Sequence, residues 1–275
     1  MHTADSVRIA SSLAALWLAV GAAASTSPGF PATARGQAPG VRVTYLYDNT
    51  SAVPGVRADW GFACLIEGRG ARLLFDTGTQ PDILTHNAQA LHVDLGRLDA
   101  VVLSHDHGDH IAGFPALGSR PGLRVFHAEG FNPAVIAALR GSGATLVPVS
   151  KSVEVLPGFR TSDEFGNAIR EEALLVDTPD GLVVIVGCSH PGIVPMLRQI
   201  KASTGRPIHA VLGGFHLMQT PADEVKRMVA EFQELGVGRV GPTHCTGPDA
   251  IARFKEAYGD RFIQGGVGTV VTARQ

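Results

Sequence analysis

The segment His105-Asp106-His107-Gly108-Asp109-His110 limits what this chain can fold into more than any other. It packs three imidazoles and two carboxylates into six residues, just beyond the apolar run Ala100-Val101-Val102-Leu103. Neutral imidazole nitrogen and carboxylate oxygen are ligands that suit zinc and its divalent neighbours. Residues two apart in an extended segment point the same way, so His105 and His107 can converge on one ion. Asp109 and His110, one step further on, can then face a second. Chance would produce such a run on the order of a few times per million positions, so the segment reads as a metal site and not as a His-rich loop. A short continuous apolar run is what a strand buried on both faces looks like, and α/β sheets bind ligands where such strands end.

The pattern His-x-His-x-Asp-His resembles that of the metallo-β-lactamase superfamily, and further motifs follow in the order that resemblance implies. Leu73-Leu74-Phe75-Asp76-Thr77-Gly78 is similar to the superfamily's strand ending in Asp-Thr-Gly. Gly187-Cys188-Ser189-His190-Pro191-Gly192, Gly213-Gly214-Phe215-His216-Leu217 and Pro242-Thr243-His244-Cys245-Thr246-Gly247 resemble the branch of dihydropterin–ribofuranosylaminobenzene phosphate synthase-like proteins. The resemblance spans about residues 41–273 and implies an α/β, four-layer αβ/βα sandwich with the metal site at the sheet edge between its halves.

It also implies roles for individual residues. His105 and His107 bind the first ion, Asp109 and His110 the second, and His244 serves the second. Cys188 stands where many members carry a bridging Asp. A metal lowers a thiol's pKa and sulfur is a good zinc ligand, so Cys188 is a candidate metal ligand, against a buried Cys packing under the loop. The superfamily's intervening His is missing, since no His occurs between His127 and His190. His190 is its natural substitute, against a hydrogen-bonding role behind the ligands. His216 is either a catalytic contact facing the substrate or a satisfied core histidine. Asp76 is expected to hold a ligand His by a hydrogen bond. His127 and Cys245 read as structural, with Cys245 able to pair with a nearby thiol in an oxidising compartment. His86, His92 and His209 read as surface residues.

Composition narrows the rest. A 275-residue chain that is 45% hydrophobic, with 33 Gly, suits an α/β protein with a sizeable core. A net charge of −2 and no Lys/Arg cluster argue against a nucleic-acid partner and leave a small-molecule substrate. Three cysteines are too few and too scattered for a disulfide framework. At the N-terminus Arg8 precedes an apolar run to Ala24, and Ala22-Ala23-Ala24 offers a small-x-small cleavage site. Residues 1–24 are therefore expected to be a signal peptide, against a retained N-terminal anchor, residues 25–40 a disordered Ser/Pro/Gly/Ala spacer, and residues 41–275 one domain. The mature protein is expected in the periplasm, without membrane attachment after cleavage.

Strands are expected over 41–47, 61–67, 71–75, 100–103, 123–126, 173–176, 182–186 and 208–212, with a short one ending at Val240. Helices are expected over 81–91, 133–139, 221–235 and 251–258, and one opened by Pro191 and running to about Lys201. The loops 48–60 and 158–172 are expected to shape specificity. Two ions, expected to be zinc with iron or manganese as alternatives, would make a water acidic enough to attack an ester, lactone, phosphoester or amide, with Asp109 orienting it. A pterin-precursor transferase or synthase of the same fold, and a non-hydrolytic metal or redox protein, are the alternatives.

Overall fold

The computed structural model describes residues 40–274; the expected signal peptide and all but Gly40 of the expected spacer lie outside them. Two sheets carry the fold. The first has seven strands in the order β13-β1-β2-β3-β4-β5-β6. These are β1 (Val41–Tyr47), β2 (Ala63–Gly68), β3 (Ala71–Phe75), β4 (Ala100–Leu103), β5 (Arg124–Ala128), β6 (Thr145–Val149) and the C-terminal β13 (Val270–Ala273). The second has six in the order β12-β11-β10-β9-β8-β7. They are β7 (Glu154–Leu156), β8 (Phe159–Thr161), β9 (Leu174–Thr178), β10 (Gly181–Val186), β11 (Ile208–Gly214) and β12 (Arg239–Thr243). β3 to β6 run parallel, as do β10 to β12, and the remaining pairs are antiparallel.

Side chains alternate across each strand and sort into three apolar layers. On β4, Ala100 and Val102 face the space between the sheets, while Val101 and Leu103 face the outer helices. On β10, Val183 and Ile185 join that central layer, and Leu182, Val184 and Val186 pack against the other helices. Strands with both faces covered read as unbroken apolar runs, and each fully buried Val, Leu or Ile contributes roughly 1.5–3 kcal/mol relative to exposure. The helices α1 (Pro81–Ala90) and α3 (Pro133–Arg140) supply residues to the layer outside the first sheet. The helices α4 (Ile193–Thr204), α5 (Ala222–Glu234) and α6 (Pro248–Tyr258) cover the second. The result is the expected αβ/βα sandwich. The short α2 (Gly108–Ile111) completes the set, and none of the described helices is long and apolar enough to cross a membrane.

Three details depart from expectation. The helix expected to open at Pro191 begins two residues later, because Gly192 at φ 96° makes a turn first. The strands β6, β7, β8 and β13 were not expected, and β8 occupies part of the segment expected to be a loop. Of the three surface histidines, only His92 is exposed. His86 is half-buried with Nε2 2.9 Å from the Gly55 carbonyl, and His209 is half-buried on β11.

Candidate metal centre

Every expected ligand emerges from the C-terminal end of a strand at one edge of the sandwich. β4 delivers His105, His107 and, through α2, Asp109 and His110; β10 delivers Cys188 and His190; β12 delivers His244. Ligand atoms of Asp109, His110, Cys188 and His244 all lie within 4.8 Å of one another, as do those of His105, Cys188 and His190. Cys188 is common to both groups, with its Sγ 3.2 Å from His110 Nε2. His107 joins the second group through His190, whose Nε2 is 3.1 Å from His107 Nδ1. Two nitrogens on one tetrahedral ion sit about 3.3 Å apart. His107 caps α2 with its backbone still extended, at φ −73° and ψ 145°, and its ring meets that of His105 at 4.7 Å.

Hydrogen bonds on the far side of the rings decide which nitrogen faces inward. His110 Nδ1 donates to Asp76 Oδ2 at 2.7 Å. Ser104 Oγ donates to the same oxygen at 2.8 Å, so it accepts from His105 Nδ1 at 2.9 Å. His244 Nδ1 donates to Asn49 Oδ1 at 3.0 Å. In all three the Nε2 is left to face the centre, the arrangement by which metal-binding histidines are oriented. Asp76 thus hydrogen-bonds the candidate ligand His110 and reaches a second candidate, His105, through Ser104.

Two of those inward nitrogens, His105 Nε2 and His244 Nε2, are buried with no hydrogen-bond partner among the described residues. His244 Nε2 does lie 3.2 Å from Asp109 Oδ2, but out of line for a hydrogen bond. Buried polar atoms are rarely left unsatisfied in a folded protein, and a divalent ion would satisfy both. Burial and the neighbouring imidazoles hold His105 well below the usual histidine range and His190 at about 3, so both rings are neutral. Burial opposes ionisation of Asp109, yet the His244 and His110 rings hold its carboxyl well below the carboxylate range. Imidazoles, a carboxylate and a shared sulfur form a donor set that fits zinc.

Glycines let the strand ends approach this closely. A side chain on Gly187 would meet Ser104 Oγ at 2.1 Å and His105 Nδ1 at 3.1 Å, and one on Gly214 would meet Cys245 Sγ at 2.6 Å. Asp76, Ser189, His216 and His244 all take left-handed backbone conformations, with φ between 50° and 63°. Such strain gathers where a site requires it.

Four residues of the centre escaped the sequence reading. Ser104 and Asn49 are the hydrogen-bond partners just described. Glu171 is fully buried and its carboxylate accepts the backbone N–H groups of Cys188 (2.9 Å), Ser189 (2.8 Å) and His190 (2.9 Å), clamping the ligand loop. Burial raises its pKa to about 7 against the pull of those N–H groups. Trp60, 45% exposed, donates from Nε1 to Asp109 Oδ2 at 2.8 Å and packs on the His244 ring. Asp48-Asn49 and Glu171-Glu172, polar pairs bordering buried strands, were the available signal. His216 is exposed beside His190, with ring centroids 4.3 Å apart, which excludes the core-histidine reading. His127 is buried, donates from Nδ1 to the Ala128 carbonyl and packs on Phe131, as a structural residue should. All three cysteines are free.

Known proteins share this architecture. The chain is 26% identical to 7,8-dihydropterin-6-methyl-4-(beta-D-ribofuranosyl)-aminobenzene-5'-phosphate synthase of Methanocaldococcus jannaschii, over 77% of this chain and 89% of that one. It is 31% identical to ribonuclease Z of Listeria innocua, but over only 36% of this chain and 34% of that one. A crystal structure described as a metal-dependent hydrolase of the beta-lactamase superfamily superposes with a TM-score of 0.73 at 27% identity, covering 86% of this chain and all of the other. Human tRNase Z, short form, shares the fold at 16% identity, a TM-score of 0.58 and coverage of 84% and 98%. The model of the metallo-beta-lactamase superfamily matches residues 61–195, the span from the strand before Asp76 to the loop bearing Cys188 and His190. With its motifs in order and its strand ends converged on one donor cluster, the chain belongs to the metallo-beta-lactamase superfamily.

Proposed function

We propose that this protein is a metal-dependent hydrolase, most naturally a zinc enzyme with two ions, acting on an ester, lactone, phosphoester or amide. The observation that carries the reading is the pair of donor groups sharing Cys188, with three imidazoles turned so that Nε2 faces inward. His105, His107 and His190 would hold one ion, Asp109, His110 and His244 the other, and Cys188 lies within reach of both. When bound, such ions act as Lewis acids and make water a nucleophile near neutral pH. The chain's own residues supply the rest. Asp109 is only partly buried, so its carboxylate can accept a hydrogen bond from the attacking water, while Trp60 fixes one of its oxygens. His216 stands exposed beside His190, where its ring can give a proton to a leaving group. Glu171 holds the Cys188–His190 loop in place without touching the reacting atoms.

The test is elemental analysis of the purified full chain, paired with a panel of small esters, lactones, phosphodiesters and amides assayed before and after chelation. Chelator-sensitive turnover of one class supports the proposal; two bound ions with no turnover of any class refute it. The resemblance to the dihydropterin synthase supports a second reading, transfer of a pterin-like group. It predicts turnover of a pterin precursor in place of hydrolysis of the panel. Export to the periplasm belongs to this proposal as well, and a mature N-terminus near Ser25 in a periplasmic fraction would support it.

A further inference from the structure

A third cluster adjoins the two groups assigned to zinc. Ligand atoms of Cys188, His216 and Cys245 also lie within 4.8 Å of one another, and each comes from the end of a different parallel strand, β10, β11 and β12. Neither His216 nor Cys245 belongs to the other two groups. Cys245 is buried; its thiol lies 3.6 Å from the Cys188 carbonyl and also interacts with the Cys188 and His216 side chains. Gly214 leaves that thiol its space, since a side chain there would lie 2.6 Å from Cys245 Sγ. Packing alone would be served by a small apolar residue. Two sulfurs and one imidazole form a softer donor set than the oxygen-bearing group around Asp109.

The cluster also has an open side. A cleft of about 510 Å³ is lined by His216, Cys245, Trp60, Met218, Thr220 and Pro221. Three protein ligands, two thiolates and a histidine, with a fourth position open to a cleft, are a known way of holding reactive zinc. We propose that Cys188, Cys245 and His216 form a further, thiolate-rich position open to this cleft, which takes thiophilic divalent cations of the cadmium type once zinc has filled the other two groups. Binding there releases the two thiol protons to solvent as the sulfurs become thiolates. Because Cys188 also serves the other groups, occupation of this position competes with them for that sulfur, whichever reaction they support.

The experiment is a cadmium titration of the zinc-loaded full chain under anaerobic conditions. Sulfur-to-cadmium charge-transfer absorbance is read together with bound cadmium and zinc per chain. Wild type should show the absorbance of two thiolates per bound cadmium. Cys245→Ser should show roughly half of it, because one sulfur of the pair remains. His216→Ala should weaken cadmium binding by roughly tenfold or more, which keeps the proposal testable if the buried serine disturbs folding. Without cadmium, both variants should keep wild-type zinc content. Equal absorbance per cadmium in wild type and Cys245→Ser overturns the proposal. So does a zinc deficit in Cys245→Ser, which would make Cys245 a ligand of the zinc groups. A wild-type mass two units low with no cadmium bound also overturns it, because the pair would then be a disulfide.

Discussion

Asp76→Asn tests the centre most sharply, because one carboxylate orients a histidine in each group. Asp76 Oδ1 accepts from the Ser104 N–H at 2.7 Å, and Oδ2 accepts from both His110 Nδ1 and Ser104 Oγ. Asparagine keeps the size and tolerates the left-handed backbone at φ 54°, so strain does not confuse the result. If its oxygen stays on the Ser104 N–H, its NH₂ group faces His110 Nδ1 and Ser104 Oγ. His110 must then accept through Nδ1 and carry its proton on Nε2. Ser104 Oγ, now accepting from the amide, donates to His105 Nδ1 and moves that proton to Nε2 too. Both inward nitrogens become donors and lose the lone pair a metal needs. The reverse orientation sets the NH₂ against the Ser104 N–H, two donors face to face. Loss of such a supporting hydrogen bond weakens metal binding about 10–100-fold, or roughly 1.4–2.8 kcal/mol per ion. Zinc affinity, measured by competition with a chromophoric chelator, should fall by that factor for both ions. Ser104→Ala should weaken only the ion that His105 holds. Wild-type affinity for both ions in Asp76→Asn would refute the orienting role.

Asp109→Asn should lower turnover by orders of magnitude on whichever panel substrate is active, with metal content measured alongside, whereas His86→Ala, bonded to the Gly55 carbonyl away from the centre, should change neither. Glu171→Gln sets an amide NH₂ against one of three backbone N–H groups and should cost roughly 1.5–3 kcal/mol, read as a lower Tm; an unchanged Tm would refute the clamp. Glu172 is fully buried with both carboxylate oxygens unpartnered among the described residues, and burial raises its pKa well above 4.5. Its contribution to stability is therefore complete below the unfolded pKa and lost as pH rises through the folded one. The Tm difference, Glu172→Gln minus wild type, should grow as pH is raised from about 5 to about 9, and a flat difference would refute this. Chelation should lower Tm and zinc restore it, because a ligand at 100 times its Kd stabilises the folded state by roughly 2.7 kcal/mol.

Much of this protein is legible in its sequence, for reasons of locality. The donor types in 105–110 are fixed by chemistry, and a strand buried on both faces must be apolar throughout, so β4 and β10 show themselves directly. The glycines beside Cys188 and before His216 mark close backbone approach. What sequence could not show depends on which strand ends meet. Cys188 sits within reach of both donor groups because β10 lies beside β11 in the second sheet and its end faces that of β4 in the first. Glu171 clamps a loop 17 residues further on, Asn49 turns a histidine 195 residues away, and Trp60 reaches Asp109 across 49 residues. No local pattern encodes such pairs, because a hydrogen bond depends on distance in space and is blind to distance along the chain. The short strands β7 and β8 escaped for a related reason: with few residues to alternate, their identity comes from the neighbours they pair with. The sequence alone determined which atoms could bind a metal; the packing of two sheets decided which of them meet, and which nitrogen each histidine turns inward.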